Sequence, residues 1–585
     1  MESLQNTLLQ CGFFVSASPD RTPMHASSSS DPSPSWQEGR QRLLTLSGLA
    51  LLAFVLRVYR LDYQSLWRDE VDAVIFATRD LRATLATFAT VGENGPLYFL
   101  GLHFWIDLFG RSEFAIRLPS VVFGVLAVLA TYHLGREVVG RNVGVIGAFL
   151  LAVSPYHIWY GQEAKMYALI SFFAPLSLLL LLRALRGGPR WLWLAWAALM
   201  GIFLYVHLFA VMMVLVGVTW TPLLLRRRPR LTPILAVALA LIILAALPVA
   251  SWLLPAALTP VETGYFRYGL GEMTTILLYN FSMGLRPAAG LWPAIVFGLL
   301  LVAGCAPLIL TMKHEETHET AIEWPQARGV LLLVLYLLVP LLAIWLVSLR
   351  RPTFTDRYLI ISLPAFYLLI ATGIVTIARV CEQATTGAGP APASRASIPV
   401  RRAARPKRVV AVGAGLQDES AAAVSPATLP AEPATRHARA RALGAGVALG
   451  LALVVTGVSL PFVWAQTHDV DKADFRAATR YITERAAPDD LIIFLMPYVQ
   501  RGFAYYHAQP VRSAAPPYTR GMTAAQVDEK MRALTVGSST VWLFLSEQDF
   551  WDPDGLIPAW FERNAVRRCQ AQFAYIDVRC YAMMR

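Results

Sequence analysis

Residues 231–254 read LTPILAVALALIILAALPVASWLL and contain no charged side chain. A helix of about 20 apolar residues crosses the ~30 Å hydrocarbon core of a bilayer, and runs of about 16–23 such residues recur along this chain. The 585 residues are 56% hydrophobic and 15% charged, whereas soluble proteins are roughly 45–50% apolar and about 25% charged. The sequence therefore predicts an all-α polytopic membrane protein. The candidate spans lie at about 43–59, 95–110, 114–135, 142–158, 164–184, 190–207, 208–225, 231–254, 289–310, 329–348, 357–379 and 441–465.

The net charge of +12 and the pI of about 9.6 come mainly from arginine between the spans. A basic chain often indicates nucleic-acid binding. Here the basic residues cluster at 226–230 and 401–408, and positive residues favour the cytoplasmic side of a membrane protein. Membrane topology explains the charge, and we expect no nucleic-acid partner.

Five segments follow from these patterns. We expect a disordered leader at 1–42, a transmembrane catalytic module at 43–380 with its first external loop at 60–95, a disordered basic cytoplasmic linker at 381–440, a last transmembrane helix at 441–465, and a domain at 466–585. In that last segment, short apolar runs alternate with helical patterns, which is typical of a small α/β domain with a mainly parallel sheet. Cys569 and Cys580 lie there in two adjacent extended runs, either as a disulfide or as two free thiols.

The distribution of arginine also orients the chain. Arg40 and Arg42 precede the first span, which places the N-terminus inside the cell and the loop 60–95 outside. The basic linker precedes the last span, so the C-terminal domain is also extracytoplasmic. An even number of crossings cannot satisfy both conditions, and we therefore expect about eleven or thirteen transmembrane helices.

The first external loop contains the acidic pair Asp69 and Glu70 within Leu66-Trp67-Arg68-Asp69-Glu70. Residues 71–76 and 81–88 read as short amphipathic helices at the membrane interface. Acidic side chains in such a loop often lie on its solvated face and have no further role. A carboxylate at the bilayer edge is also placed to take a proton from a substrate hydroxyl, beside a substrate whose tail stays in lipid.

Several motifs, in this order and spacing, resemble one known family. They are Leu66-Trp67-Arg68-Asp69-Glu70, Asn94-Gly95-Pro96-Leu97-Tyr98-Phe99, Arg117-Leu118-Pro119-Ser120, Gly161-Gln162-Glu163-Ala164-Lys165-Met166-Tyr167 and Asp356-Arg357-Tyr358-Leu359-Ile360. The chain resembles the membrane glycosyltransferases of family 39 type, which include the protein O-mannosyltransferases and the aminoarabinose transferase of lipid A. The resemblance implies the GT-C fold, a polyprenyl-phosphate sugar as donor, and Asp69 as the catalytic base, with Glu70 as the second acid of the pair.

The chain departs from the family at one turn. Asn94-Gly95-Pro96 stands where the family often has His-Pro-Pro, which leaves the role of this turn open. No His, Asp and Glu residues cluster at metal-ligand spacing near this turn. His314, Glu315, Glu316, His318 and Glu319 resemble a metal cluster, but they belong to a loop expected on the cytoplasmic side, and we interpret them as its solvated surface. We therefore predict neither an essential metal nor another cofactor.

Two basic residues are candidates for the donor phosphate. Arg357 presents a fork of donors that suits phosphate oxygens, although an arginine at a helix end can also snorkel to the interface. Lys165 either binds phosphate or pairs with Glu163. Glu163 itself, together with Asn94, Tyr98 and Tyr265, completes the predicted substrate-binding set.

The sequence thus predicts a glycosyltransferase of a bacterial plasma membrane, acting by inversion with Asp69 as general base. It would transfer a hexose or pentose from a lipid phosphate to an extracytoplasmic protein, lipid or glycan. A membrane transporter or lipid flippase without glycosyl transfer is the alternative. Such a protein usually carries ionisable residues in mid-span and internal repeats, whereas here the charges concentrate in loops.

Overall fold

The computed structural model describes residues 34–88, 95–225, 229–258, 266–286, 290–314, 324–386, 432–507 and 509–584. Asn94 and Tyr265, two of the predicted substrate-binding residues, lie outside these ranges. The chain divides into two compact units, Met1–Leu46 and Ser47–Arg585, and the second contains the candidate site and the C-terminal domain.

The described part of the chain before the C-terminal domain is helical. Its α-helices are α1 (Pro34–Val58), α2 (Arg68–Thr78), α3 (Leu81–Phe88), α4 (Leu97–Phe109), α5 (Glu113–Val138), α6 (Arg141–Ala152), α7 (Pro155–Gly161), α8 (Tyr167–Leu185), α9 (Trp191–Val206), α10 (Val211–Trp220), α11 (Pro222–Leu225), α12 (Thr232–Leu258), α13 (Leu270–Met283), α14 (Trp292–His314), α15 (Trp324–Ser348), α16 (Leu363–Thr386) and α17 (Glu432–His468). Three short 3₁₀ helices join them at Leu208–Ala210, Pro229–Leu231 and Asp356–Ser362. The two interfacial helices predicted in the first loop are present as α2 and α3.

Seven of the described helices are long and apolar enough to cross a membrane. They are Gln37–Val58, Glu113–Val138, Tyr167–Leu185, Pro229–Ser251, Gln326–Ser348, Asp356–Thr386 and Thr435–His468. The pair α6 and α7 makes an eighth span if the two count as one helix bent by 62°. Four further apolar helices are shorter, at Leu97–Phe109, Trp191–Val206, Leu208–Trp220 and Trp292–Leu308. The seven long helices and the four shorter ones together give eleven crossings, one of the two expected numbers, if all of them cross.

Several spans contain proline, at positions 119, 175, 307, 340 and 461. Neighbouring helices can satisfy the backbone groups that proline frees in a membrane helix. The predicted fold class, a helical polytopic protein with a small C-terminal sheet domain, is confirmed.

Three predicted segment boundaries differ from the structure. Helix α1 begins at Pro34, inside the predicted leader, and α16 continues to Thr386 inside the predicted linker. Helix α17 begins at Glu432 and runs for 37 residues, so the predicted last span is only its central part. Alanine and arginine are strong helix formers, and the Ala/Arg-rich stretch before that span continues the helix beyond the apolar segment.

The C-terminal domain contains a five-stranded sheet between helices. Its elements are α18 (Phe475–Thr483), β1 (Leu491–Phe494), α19 (Val499–Tyr506), β2 (Ser513–Ala514), α20 (Ala524–Thr535), β3 (Thr540–Ser546), α21 (Gln548–Trp551), α22 (Leu556–Asn564), β4 (Ala565–Phe573) and β5 (Ile576–Met583). Strands β1 and β3 are buried almost throughout, which explains their continuous apolar sequences.

The strand order is β2-β1-β3-β5-β4. β1 is parallel to β2 and β3, but β5 is antiparallel to both β3 and β4. The sheet is thus mixed, and the prediction of a mainly parallel sheet was wrong. The difference arises at the C-terminus, where β4 and β5 form a hairpin instead of a further βαβ unit.

This hairpin also settles the state of two cysteines. Cys569 and Cys580 are cross-strand partners with their Cα atoms 5.0 Å apart, and a disulfide joins them. Of the two alternatives left open by the sequence, the structure has the disulfide.

Candidate active site

The acidic pair lies in the first turn of α2, with Trp67 as the residue that caps the helix. Negative side chains are stabilised near a helix N-terminus, where backbone N–H groups are unpaired. Consecutive helical residues point in different directions, about 100° apart. The Asp69 side chain is 21% exposed, whereas the Glu70 side chain is fully buried.

Glu70 is held by three partners. Arg117 of α5 donates from Nε to Oε1 at 2.7 Å and from Nη2 to Oε2 at 2.8 Å. The backbone N–H of Ala164 donates to Oε1 at 3.0 Å, and Lys472 Nζ donates to Oε2 at 3.1 Å. Burial opposes the charged form, but Arg117 and Lys472 outweigh it and lower the pKa of Glu70 to about 2. Glu70 is therefore a buried, fully bonded carboxylate.

Arg117 also fixes the loop that leads into α2. Its Nη1 donates to the carbonyl oxygens of Leu61 at 2.8 Å and Gln64 at 2.9 Å, and its Nη2 reaches Ser65 O at 3.3 Å. One guanidinium thus bonds both Glu70 and the backbone of residues 61–65. Glu70, predicted as the second acid of the catalytic pair, thus lies where it can hold the turn that carries Asp69.

Glu163 lies behind the same turn. Its side chain is fully buried, and Lys472 Nζ forms an ion pair with Oε1 at 3.4 Å. Among the residues that the structure describes, neither carboxylate oxygen has a hydrogen-bond partner. Burial raises the pKa of Glu163. We refer to Glu70, Arg117, Glu163 and Lys472 together as the buried cluster.

Asp69 faces the other way and meets Arg357. The Arg357 Nη1 donates to Asp69 Oδ2 at 2.6 Å, although 288 positions separate the two residues. The Arg357 side chain is 22% exposed, and its Nε is buried without a hydrogen-bond partner. The predicted base and the predicted phosphate-binding arginine are therefore in direct contact.

The residue beside Arg357 anchors this part of the chain. Asp356 accepts hydrogen bonds from Tyr156 Oη at 3.1 Å and from Asn280 Nδ2 at 2.9 Å. These bonds tie the 3₁₀ helix Asp356–Ser362 to α7 and α13. Arg357 is thus presented from a fixed backbone.

Lys165 is half-buried near Asp69. Its Nζ lies 5.5 Å from the centroid of the Phe99 ring. The carboxylates of Asp69 and Asp72 favour the charged form of this ammonium group. Burial lowers the pKa of Lys165. Within the described ranges, no ion pair to a carboxylate forms at its ammonium group. The alternative in which Lys165 pairs with Glu163 was wrong, because Lys472 takes that position. We call Asp69, Arg357 and Lys165 the exposed site.

Tyr98 is buried in the first turn of α4 and lies near Glu70 and Glu163. The predicted site residues therefore separate into two groups. Asp69, Arg357 and Lys165 come together where solvent reaches, whereas Glu70, Glu163 and Tyr98 lie behind them. Asn94 and Tyr265 fall outside the described residues.

In the turn Asn94-Gly95-Pro96, steric contact explains why glycine occupies position 95. A Cβ atom at Gly95 would lie 1.9 Å from the carbonyl oxygen of Tyr205, at the end of α9. Only glycine permits such a close approach of two backbones. The proline that the family often has at this position would not fit here.

Lys472 is the main residue that sequence reasoning missed. The chain has only five lysines, so a lysine between two acids just after the last span was a usable signal. Arg117 was recognised within a motif, but without a role. In the described ranges, no three His, Cys, Asp or Glu side chains form a metal-ligand set. That no metal is needed stays a prediction.

A family model described as dolichyl-phosphate-mannose-protein mannosyltransferase matches residues 93–252. YkcB of Bacillus subtilis (strain 168), named as a candidate mannosyltransferase, is 31% identical over 87 residues, which is 15% of this chain and 12% of that protein. The apo crystal structure of ArnT from Cupriavidus metallidurans aligns over 93% of this chain and 98% of its own, with a TM-score of 0.51 and 14% identity.

The chain has the GT-C fold. A second crystal structure of the same ArnT, bound to undecaprenyl phosphate, aligns over 92% of this chain with the same TM-score. At 14% identity these likenesses concern the fold alone. The predicted resemblance to membrane glycosyltransferases is confirmed by the family model, and the predicted enzyme class agrees with it.

The matched segment 93–252 includes Lys165 and Arg117 but neither Asp69 nor Arg357. Asp69 precedes the matched segment in sequence and Arg357 follows it, and the fold brings both residues close to it. Their roles rest on the geometry of the exposed site, and they stay predictions.

Proposed function

We propose that this protein is a membrane glycosyltransferase that moves a sugar from a polyprenyl phosphate to a hydroxyl group outside the membrane. The observation that carries this proposal is the contact of 2.6 Å between the Asp69 carboxylate and the Arg357 guanidinium. A proton acceptor and a cation suited to phosphate thereby lie at one partly exposed point, beside apolar helices. Glycosyl transfer from a lipid phosphate needs both groups.

The proposed reaction is a single displacement. The acceptor oxygen bonds to the anomeric carbon as the bond from that carbon to the phosphate oxygen breaks, so the anomeric configuration inverts. Asp69 takes the proton of the acceptor hydroxyl, and the polyprenyl phosphate leaves with the bonding electrons. A positioned general base typically contributes about 10²–10⁴-fold to such a rate.

The leaving phosphate gains negative charge, and cations aimed at it stabilise that charge. Arg357 uses Nη1 to bond Asp69, while its Nε is unbonded. A guanidinium has five N–H donors in a fixed fork, so it can bond Asp69 and phosphate oxygens together. Lys165 offers an ammonium group near the same place. We assign both to the donor phosphate.

The other predicted residues take supporting roles in this proposal. Glu70, Glu163 and Tyr98 are buried, and both carboxylate oxygens of Glu70 already accept hydrogen bonds from Arg117, Lys472 and the Ala164 N–H. We therefore do not place a substrate against them. Asp69, Arg357 and Lys165 are the residues proposed to meet the donor and the acceptor.

The proposed location is the outer face of a bacterial plasma membrane. Residues 61–66 bond the C-terminal domain directly, so the two lie on one side of the bilayer. Disulfides persist outside the cytosol, and the Cys569–Cys580 disulfide favours the extracytoplasmic side. The lipid tail of the donor would lie along the membrane helices, and the acceptor is a protein, a lipid or a glycan.

The test uses the full-length protein in nanodiscs with polyprenyl phosphates carrying different hexoses and pentoses, and a cell-envelope extract as the source of acceptors. Release of free polyprenyl phosphate is measured by mass spectrometry. Asp69→Asn should lower the rate at least 10²-fold. The matched control is Asp62→Asn, an exposed carboxylate of the same loop, which should keep the wild-type rate.

Two outcomes would overturn the proposal. An Asp69→Asn variant as fast as wild type removes Asp69 as the base. A wild-type protein that moves a fluorescent polyprenyl-phosphate sugar across the bilayer, with the sugar–phosphate bond intact, supports the transporter alternative.

A further inference from the structure

The buried cluster receives one of its two cations from outside the membrane module. Lys472 lies between α17 and α18, in the segment 466–475 that enters the C-terminal domain. Its ammonium group contacts Glu70 at 3.1 Å and Glu163 at 3.4 Å, and its side chain is 7% exposed. It is the cation shared by these two buried carboxylates.

Lys472 is the cation that contacts Glu163 among the residues the structure describes. Asp69, Glu70 and Glu163 are three neighbouring acids, and Arg357, Arg117 and Lys472 are the cations that bond or contact them. Isolated ionised groups are costly to bury, and they tend to change protonation instead. Without Lys472, Glu163 would have no cation within 4 Å in the described part of the chain.

The backbone around Lys472 binds the loop that precedes the acidic pair. The N–H groups of Asp471 and Lys472 both donate to Gln64 Oε1, at 3.0 and 2.9 Å. Ser65 Oγ donates to Ala473 O at 2.7 Å. These bonds fix the residues immediately before Trp67.

Three further bonds extend this contact. Tyr63 Oη donates to His468 O at 2.8 Å, and Phe475 N–H donates to Ser65 Oγ at 3.2 Å. From α19, Tyr506 Oη accepts the N–H of Leu66 at 2.7 Å. We call residues 466–475 the clamp segment, because they and α19 hold residues 63–66 on one side while Arg117 holds them on the other.

Trp67 links the clamp segment to the exposed site. The Lys472 ammonium lies 6.0 Å from the centroid of its ring and 5.1 Å from that of Trp159, while the Arg357 guanidinium lies 5.8 Å from the Trp67 ring. Trp67 is also the N-cap of α2. A shift of Lys472 would therefore reach both the first turn of α2 and the position of Arg357.

From these contacts we propose that Lys472 is a positioning residue of the glycosyl transfer. It holds Glu70 and Glu163 as charged partners, and through them and the clamp segment it fixes the turn that presents Asp69. The expected effect of Lys472 on the transfer rate rests on the proposed function. Its effect on the structure of the turn can be measured without a substrate. It also makes the C-terminal domain part of the active site's framework.

The kinetic test compares Lys472→Met with Lys530→Met, an exposed lysine of the same domain. Lys472→Met should lower kcat about 10²-fold, since a displacement of about 1 Å has that effect on a catalytic group. The KM for the lipid donor should change less than about threefold, because Arg357 and Lys165 remain.

Two further variants separate positioning from general loss of folding. Lys472→Arg keeps the charge and should recover most of the rate. The double variant Lys472→Met with Glu163→Gln removes the carboxylate that would be left unpaired, and it should be faster than Lys472→Met alone. Rates equal to that of Lys530→Met in all three variants would overturn the proposal.

Hydrogen exchange of the full-length protein in nanodiscs supplies a readout that does not depend on the substrate. Residues 61–72 should exchange faster in Lys472→Met than in Lys530→Met. If wild type shows no sugar transfer but this exchange difference appears, the proposed function fails and the positioning role stands. If exchange is the same in both variants, the positioning role fails.

Discussion

Asp69 of the exposed site and Glu70 of the buried cluster are neighbours in the first turn of α2, but one is partly exposed and the other is fully buried. Asp69 has one cation, Arg357, and both side chains are partly open to solvent. Glu70 has Arg117, Lys472 and a backbone N–H, and no solvent. A carboxylate whose oxygens are all bonded within the protein cannot accept a substrate proton without losing those bonds. The comparison therefore indicates that Asp69 is available for chemistry and that Glu70 supports the turn.

The largest expected effect comes from breaking the buried cluster. Arg117→Ala leaves Glu70 without its bidentate partner and frees three loop carbonyl groups. Removing one member of a buried ion pair typically costs about 3–5 kcal/mol. We expect a large loss of folded protein, measured by size-exclusion chromatography and thermal unfolding in detergent.

The control for that variant is Arg183→Ala, whose half-exposed arginine pairs with Glu137. Exposed ion pairs typically contribute about 0–1 kcal/mol, so this variant should unfold close to wild type. Equal melting temperatures for the two variants would show that burial does not distinguish the two pairs.

Changes at the exposed site should affect activity and leave folding intact. Arg357→Met removes the predicted phosphate ligand and the partner of Asp69. Loss of one preorganised donor to a developing oxyanion costs about 10²–10³ in kcat, and we expect a loss of that size with little change in the melting temperature. Arg357→Lys should be only partly active, because lysine lacks the planar fork. Full activity of Arg357→Met would contradict the assignment.

Acid should destabilise the buried cluster. The pKa of Glu70 is about 2, against an ordinary value of 4.5. A lowered pKa means that the stabilisation is present above the ordinary value and is lost as pH falls from about 4.5 towards about 2. The melting temperature of wild type should fall over that range, and it should fall less steeply in Glu70→Gln. The raised pKa of Glu163 acts in the opposite direction, so Glu163→Gln should not flatten the acid limb.

The smallest effect is expected for Lys165→Met. The ammonium group of Lys165 has no carboxylate bonded to it in the described ranges, so its loss leaves no buried charge unpaired. We expect about a tenfold higher KM for the lipid donor and an unchanged melting temperature, since one charged hydrogen bond contributes about 1.5–3 kcal/mol. An unchanged KM would remove Lys165 from the donor phosphate.

Much of the fold could be predicted because its signals are local. Apolar runs, amphipathic periods and alternating short elements depend on nearby residues, and they placed α2, α3 and the C-terminal domain correctly. The ends of α1 and α17 could not be placed from hydropathy, because the polar first turns of α1 and the Ala/Arg-rich first turns of α17 are helical but not apolar. The antiparallel hairpin was missed because its two-residue turn, Ala574 and Tyr575, lacks the Gly, Asn or Asp that usually marks such a turn.

The same distinction applies to the site. Asp69 and Arg357 were found through motifs, and the structure places them in contact. Lys472, the cation shared by Glu70 and Glu163, was missed. It is 402 positions from Glu70 in sequence and lies in a segment without a periodic pattern. Adjacent in sequence, Asp69 and Glu70 looked equivalent, and only burial separates their roles.

The clamp segment has a consequence for biosynthesis. Residues 63–65 leave the ribosome about 400 residues before their hydrogen-bond partners at 466–475; for example, 402 positions separate Gln64 from Gln466. Contacts so distant along a chain form late in folding. The outer loop must therefore wait until translation and insertion of α17 are nearly complete, so a chain that stalls before that point would carry Asp69 and Arg357 but no assembled turn to hold them.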